Sequence, residues 1–489
     1  MSNYKIARTM GTQHPDNVNT PFFASNHVMT GEDEVQEAYY SFSHLKIDEQ
    51  LWDIEGKEVD NHVVSKLLTK YPHYFKDNVL GEDKFLTIRA PNPDVQTTEA
   101  KLLAEVVYSI PRNHDTASAF YGRDVAPIFE IVIPMCGSEK PMLRLRDFYN
   151  HFITKAHEST VNDVKLSSWL GNFKPEKIRI TPLFETKEQI LNTHNYVKNY
   201  IDATNEDMLR VWFARSDPAL NYGSLPAVLM VKIALQRLKK LEEESSRELL
   251  PIIGMGSSPF RGNFKPSTAS QILKGYPSVQ TFTLQSAYKY DNPISEVLDS
   301  IEYIDSISRK DPLQIDEELA LKYIDIVEKE YTGIISELAP TINHVSRYLP
   351  ERRMRKTHTG LFGYSRATQG VKLPRAIKFC GALYSIGLPP EILGLSALMS
   401  QDIDKIKTFY SNIEFDMTET MQYFNRENLG ILPESVRKKV LGAIKLFDYV
   451  ENPEHYEATT KVVEAMRHND HQAMNDWILK AAEVRKFLG

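Results

Sequence analysis

Four side chains close apolar stretches of this sequence or sit in the loop just past one: Arg89, Glu185, Asp217 and Arg261. Two carboxylates and two guanidinium groups brought to one rim would hold a divalent cation and an anion together. Mg²⁺ is usually bound by one or two carboxylates plus waters and a substrate phosphate. Arginine grips phosphate or carboxylate oxygens through a two-pronged fork. A phosphorylated acid bridged by a metal satisfies both sets of groups. Each residue also has a plainer reading. Glu185 would serve as an N-cap acid for a helix from Thr186, Asp217-Pro218 as a helix start, and Arg89 as half of a surface ion pair.

Further segments carry the same kind of chemistry. Gly254–Asn263 (GMGSSPFRGN) has three glycines, two serines and an arginine after an apolar run, an anion-binding composition. It lacks the Gly-Lys-Ser/Thr of a nucleotide-binding P-loop. Gly11–Asn17 (GTQHPDN) sets His14, one of fourteen histidines, in a polar turn where acid–base work at neutral pH is available to it. Arg347–Lys356 (RYLPERRMRK) reads as a solvated helix face for Arg352 and Arg353. The following stretch Gly360–Gly370, with Arg366, reads as a substrate-covering loop, its glycines permitting movement.

Positioning these residues requires a repeating unit, and the sequence has one. Short β-branched and aromatic runs end in polar residues, pass through Pro/Gly/Ser/Asn loops, and enter helix-period stretches. The runs are Lys84–Arg89, Ile128–Met135, Lys177–Glu185, Met208–Asp217, Leu249–Gly254 and Ser278–Gln285. Continuous apolar runs mark parallel strands covered on both faces, and their alternation with helices marks βαβ units. Helical periodicity dominates both ends, at Gln36–Ser43, Val59–Lys70, Glu317–Leu338 and Leu373–Ser385. The expected fold is α/β, a (β/α)8 TIM-type barrel embedded in a predominantly helical protein. The chain 1–489 then forms a single domain, its barrel strands mostly within about 84–290 and helical additions at both ends. Two strands are not located by pattern, and one of them should fall in the first 80 residues. In such a barrel the strands' C-terminal ends carry the catalytic groups, which is where the four residues lie.

Composition narrows the class. The chain is 42% hydrophobic and 25% charged with a net charge of −7, ordinary globular usage without the basic excess of a nucleic-acid binder. Two distant cysteines build no disulfide framework. No apolar run reaches the ~18 residues of a membrane span, and the first ten residues lack a signal-peptide core. These features lead to the expectation of a soluble cytoplasmic protein, with no nucleic-acid or membrane partner.

Taken together the segments resemble phosphoenolpyruvate carboxylase, in particular its short archaeal-type branch. Gly11–Asn17 is similar to that branch's N-terminal signature, and Trp52–His62 (WDIEGKEVDNH) to another of its segments. Ile180–Thr186 (ITPLFET) matches the Pro-Leu-Phe-Glu-Thr of the long enzymes. Ser216–Gly223 (SDPALNYG) is similar to their Ser-Asp motif, Gly254–Asn263 stands in place of their glycine-rich loop, and Thr87–Arg89 and Leu373–Ile377 (LPRAI) resemble two arginine sites. The resemblance implies carboxylation of phosphoenolpyruvate by bicarbonate to oxaloacetate and phosphate, through carboxyphosphate and the enolate of pyruvate, with Mg²⁺ or Mn²⁺ as cofactor. It implies Glu185 and Asp217 as metal ligands, Arg89, Arg261 and Arg375 as anion contacts, His14 as the acid–base group, and a homotetramer. Two cations of the long enzymes are replaced, by Leu220 and Met255; Arg215 and Arg366 are the local candidates to compensate, Arg366 as a substrate-binding residue. Two competing readings stand beside this one. One is a metal-dependent barrel lyase or aldolase acting on a keto acid, which needs neither phosphate contacts nor His14. The other is a non-catalytic family member acting as a binding protein.

Overall fold

The structure, a computed structural model, describes residues 6–55, 60–354, 366–368 and 371–489. Eight parallel strands close into a barrel: β1 (Thr9–Gly11), β2 (Glu49–Asp53), β3 (Phe85–Arg89), β4 (Glu130–Ile133), β5 (Arg179–Phe184), β6 (Met208–Ala214), β7 (Glu248–Gly254) and β8 (Thr281–Leu284). Closure comes from β1 pairing with β8, Thr9 opposite Phe282 and Gly11 opposite Leu284. The six strands expected from apolar runs are all present. Both strands that pattern did not locate, β1 and β2, lie in the first 80 residues.

Strand alternation divides the interior into layers. On β6, Val211 and Phe213 pack outward into the main core, whereas Trp212 and Ala214 join Met10, Leu51, Val132, Leu183 and Ile252 in a separate apolar cluster inside the barrel. Nearer the N-terminal ends of the strands, the buried Arg210 reaches Glu49 at 2.7 Å and Glu130 at 3.0 Å. Thr87 and Thr181 donate their hydroxyls to the same two carboxylates, at 2.5 and 2.6 Å. A charged layer, an apolar layer and an open upper rim therefore follow one another along the barrel axis.

Helices wrap this barrel and extend it. Gly31–Ser43 begins at a capping box between Thr30 and Asp33. The 29-residue helix Glu317–Val345 starts at Asp316, whose carboxylate caps the Leu319 amide. The expected helix Leu373–Ser385 begins only at Ala376. Val371–Leu373 instead pairs with Arg366–Thr368 as a two-stranded ribbon, because Pro374 disfavours helical backbone at the residue before it. Among the described residues, no helix is long and apolar enough to cross a membrane.

The solvated helix face expected for Arg352 and Arg353 is overturned. The helix stops at Val345, a short turn follows, and both arginines are buried, at 8% and 2% exposure. Arg353 pairs with Glu34 at 3.2 Å and Glu37 at 2.6 Å, and Glu37 also holds Lys289 at 2.9 Å. Arg352 donates to the carbonyls of Asn17 and Val18, just beyond His14. The counter-charges stand more than 300 positions away in the chain, so local sequence displayed only the positive half.

Candidate active site

The upper rim encloses a cavity of ≈ 130 Å³. His14, Arg89, Glu185, Asp217, Arg261 and Arg375 all line it. They arrive from five strand ends and from the helix Ala376–Ser385, which Arg375 immediately precedes. Arg366 lies on the ribbon strand Arg366–Thr368, and its side chain is outside the described residues.

Glu185 directly follows β5 and is 6% exposed. It is not the N-cap of the next helix: Thr186 fills that role, accepting from the Gln189 amide. Glu185 Oε2 instead accepts the Met135 amide at 3.0 Å, which fixes the carboxylate against the end of β4. Asp217 sits in the first turn of the short helix Ser216–Tyr222, so the helix-start reading holds and the side chain still borders the cavity. Among the described residues no three His, Cys, Asp or Glu side chains gather at metal-binding spacing. Two hard oxygen donors on a polar cavity fit a Mg²⁺-like ion that takes its other ligands from water and substrate. They do not fit a closed all-protein site.

The three arginines are held differently. Arg89 gives Nε and Nη2 to Asp53 at 2.8 and 2.7 Å, and Glu55 stands 3.3 Å from Nε. Burial works against its charge, but Asp53 and Glu55 outweigh burial and hold the guanidinium above its ordinary pKa. The same burial pushes the Glu55 carboxyl up, against the pull of Arg89. Arg261 donates Nε to Ser216, Nη1 to Asp16 and to the Gly489 carbonyl, and Nη2 to Gln285. An arginine has five N–H donors, so four acceptors leave it one. Arg375 is drawn below its usual pKa by burial, with Glu55, Asp53 and Asp217 pulling the other way. An incoming anion would add to that second pull.

His14 is tethered from one side. Its Nδ1 lies 2.9 Å from Thr12 Oγ1, and the Lys289 ammonium reaches the Thr12 carbonyl at 3.1 Å. Asp16, two residues on, is fully buried and accepts the Ala287 amide at 2.7 Å. Burial pushes its carboxyl up despite Arg261. The loop Gly11–Asn17 is thereby pinned at both ends, with the imidazole on the cavity wall.

Sequence reasoning did not assign Asp53, Glu55, Trp212 or Gln285 to the site, yet all four line the cavity. Asp53 and Glu55 had an available signal, since Trp52-Asp-Ile-Glu55 is a strand end closed by acids like the others. The substituted positions Leu220 and Met255 are buried in the main apolar core. Met255 packs so tightly beneath Gly262 that a Cβ there would stand 2.7 Å from Met255 Cγ. Arg215 borders the cavity, but it follows the outward-facing positions of β6. Its charge acts on Tyr276 and the buried Asp416.

The whole described chain matches one family model. Residues 6–489 fit the model described as phosphoenolpyruvate carboxylase. A phosphoenolpyruvate carboxylase from Methanothermobacter thermautotrophicus is 46% identical over 487 residues, covering 99% of this chain and 100% of its own. Those of Methanospirillum hungatei and Pyrococcus horikoshii are 45% identical over 490 residues and 48% over 440. They cover 99% and 88% of this chain, and 100% and 92% of their own lengths.

Proposed function

The chain belongs to the phosphoenolpyruvate carboxylase family, and on that premise we propose that this carboxy-lyase joins phosphoenolpyruvate and bicarbonate to give oxaloacetate and phosphate in the cavity at the barrel's upper rim. The observation that carries the reading is the convergence of His14, Glu185, Asp217 and three arginines on that one cavity. Glu185 and Asp217 are the residues that would hold Mg²⁺ or Mn²⁺. Bound there, the ion supplies a Lewis acid for enolate oxygen.

The chain's own groups do the rest. Arg89, Arg261 and Arg375 bind the substrate anions and offset charge as a bicarbonate oxygen displaces the enolate from phosphorus. Asp53 and Glu55 fix the plane of Arg89, and Ser216, Asp16 and Gln285 that of Arg261. Such pre-set donors need no reorganisation during reaction. In the tautomer that carries its hydrogen on Nδ1, 2.9 Å from Thr12 Oγ1, the lone pair of Nε2 acts as the base. That nitrogen takes the carboxyphosphate proton, so CO₂ and phosphate separate and the enolate carbon attacks CO₂. The apolar floor of Leu183, Trp212 and Ala214 shields that carbon from water.

We further read the protein as a cytoplasmic homotetramer whose 489 residues form one functional unit. Two buried free thiols, Cys136 and Cys380, and the family resemblance support this reading. The decisive experiment is His14→Asn. It should retain Mn²⁺ and phosphoenolpyruvate binding and lose oxaloacetate formation by roughly 10²–10⁴-fold, the usual worth of a general base. Unchanged carboxylation would remove His14 from the reaction.

A further inference from the structure

Trp212 has a polar atom that the reaction described above does not use. On β6 it shares the inward face with Arg210 and Ala214, and it is 2% exposed. Its ring leans across to β7, whose Gly254 also lines the cavity. A Cβ on Gly254 would stand 2.9 Å from the indole Nε1. The missing side chain therefore leaves room for the indole nitrogen at the level of the cavity floor. Among the described residues Nε1–H has no hydrogen-bond acceptor. Nε1 is not sealed away from the cavity that Trp212 lines, so its N–H is open to a ligand oxygen arriving there.

We propose that Trp212 is a substrate-binding residue whose Nε1–H donates to an oxygen of a trigonal-carbon oxyanion, either the carboxylate of phosphoenolpyruvate or bicarbonate. The chemistry favours such a ligand. The rim arginines recognise oxygens in their own guanidinium planes, and one neutral donor in the apolar wall selects an oxygen at a further, separate place. Its backing is rigid, since Leu183 and Ile252 pack in the same interior cluster. Gly254 is the second determinant, because any larger residue there would push the indole away.

The inference rests on the carboxylase reading, so bicarbonate-dependent phosphate release by the wild-type protein is measured first; its absence would sink that reading and not this one alone. Trp212→Phe keeps the ring and removes the donor. We expect the KM of one substrate, phosphoenolpyruvate or bicarbonate, to rise about tenfold, while the other KM and Mn²⁺ affinity stay within twofold. Which KM moves identifies the oxyanion. Gly254→Ala should raise the same KM. With Tm unchanged in Trp212→Phe, two unmoved KM values, or two that rise together, overturn the proposal, as does a fall confined to kcat.

Discussion

At the closed end of the barrel Arg210 is clasped by Glu49 and Glu130; at the open end Arg89 is clasped by Asp53 and Glu55. Each cluster is one guanidinium between two carboxylates, and both arginines stand on barrel strands. An apolar layer containing Leu51, Val132, Leu183 and Ile252 separates them. The difference lies in what surrounds each cluster. Below, threonine hydroxyls complete the carboxylates and every ion is sealed from solvent. Above, the ions border a cavity where Glu185, Asp217 and Arg375 add further charge. A buried ion pair contributes little net stability, though breaking one is costly. The lower cluster therefore acts as a plug that fixes strand register, and the upper one as a site whose charges await a ligand.

The largest expected effect breaks the upper end alone. Asp217→Asn removes a hard-anion donor without creating a cavity or an uncompensated buried charge. Its rate of phosphate release should fall by several kcal/mol of transition-state stabilisation, on the order of a thousandfold, while thermal unfolding barely moves. Titration with Mn²⁺ checks the cause. An unmoved metal affinity would return Asp217 to its helix-start role only.

Arg210→Met tests the lower end. It strands Glu49 and Glu130 as uncompensated buried carboxylates, which should cost about 3–5 kcal/mol in denaturant unfolding. Activity per folded molecule and Mn²⁺ affinity should hold, because the apolar layer intervenes. Glu49→Gln and Glu130→Gln added to Arg210→Met should recover much of the loss. A change in phosphoenolpyruvate KM in the single variant would mean that the two ends are coupled and that the plug is part of the site.

The same contrast explains which features the sequence displayed. Strands β3 to β8 were legible because their outward faces and much of their inward faces are apolar. β2 was not: Glu49, Gln50 and Asp53 are all fully buried polar residues, Glu49 serving the lower ion cluster and Asp53 the upper, so the strand never reads as an apolar run. β1 has only three residues, too few for any period. In the site, Arg89, Glu185, Asp217 and Arg261 stood out by type and position, whereas His14 gained its weight, and Arg375 its place, from the family resemblance. Asp53 and Glu55 carried a strand-end signal but were passed over because β2 does not read as an apolar run, and their partner Arg89 is more than 30 positions away. Arg353 was misread for the same reason, its partners Glu34 and Glu37 lying across the fold. Trp212 was hidden because an indole in a strand looks like core. Only the glycine beside it on the neighbouring strand, Gly254, gives it a free nitrogen.

The smallest effect sharpens the comparison most, because it requires no turnover. A ligand that binds only the folded state stabilises it by RT ln(1 + [L]/Kd), about 2.7 kcal/mol at one hundred times Kd. At about 2 cal/mol/K per residue, unfolding a chain of this length carries an entropy of about 1 kcal/mol/K, so saturating Mn²⁺ should raise Tm by about 3 °C. Arg210→Met should show that same increment from a lower starting Tm, because its carboxylates at the rim are intact. Asp217→Asn and Glu185→Gln should show much less of it from a near-normal starting Tm, because each leaves a single carboxylate on the ion. The two ends of the barrel then separate on one axis each, baseline Tm for the lower and metal increment for the upper. An increment retained in full by Glu185→Gln would place the cation elsewhere and dissolve the distinction between plug and site.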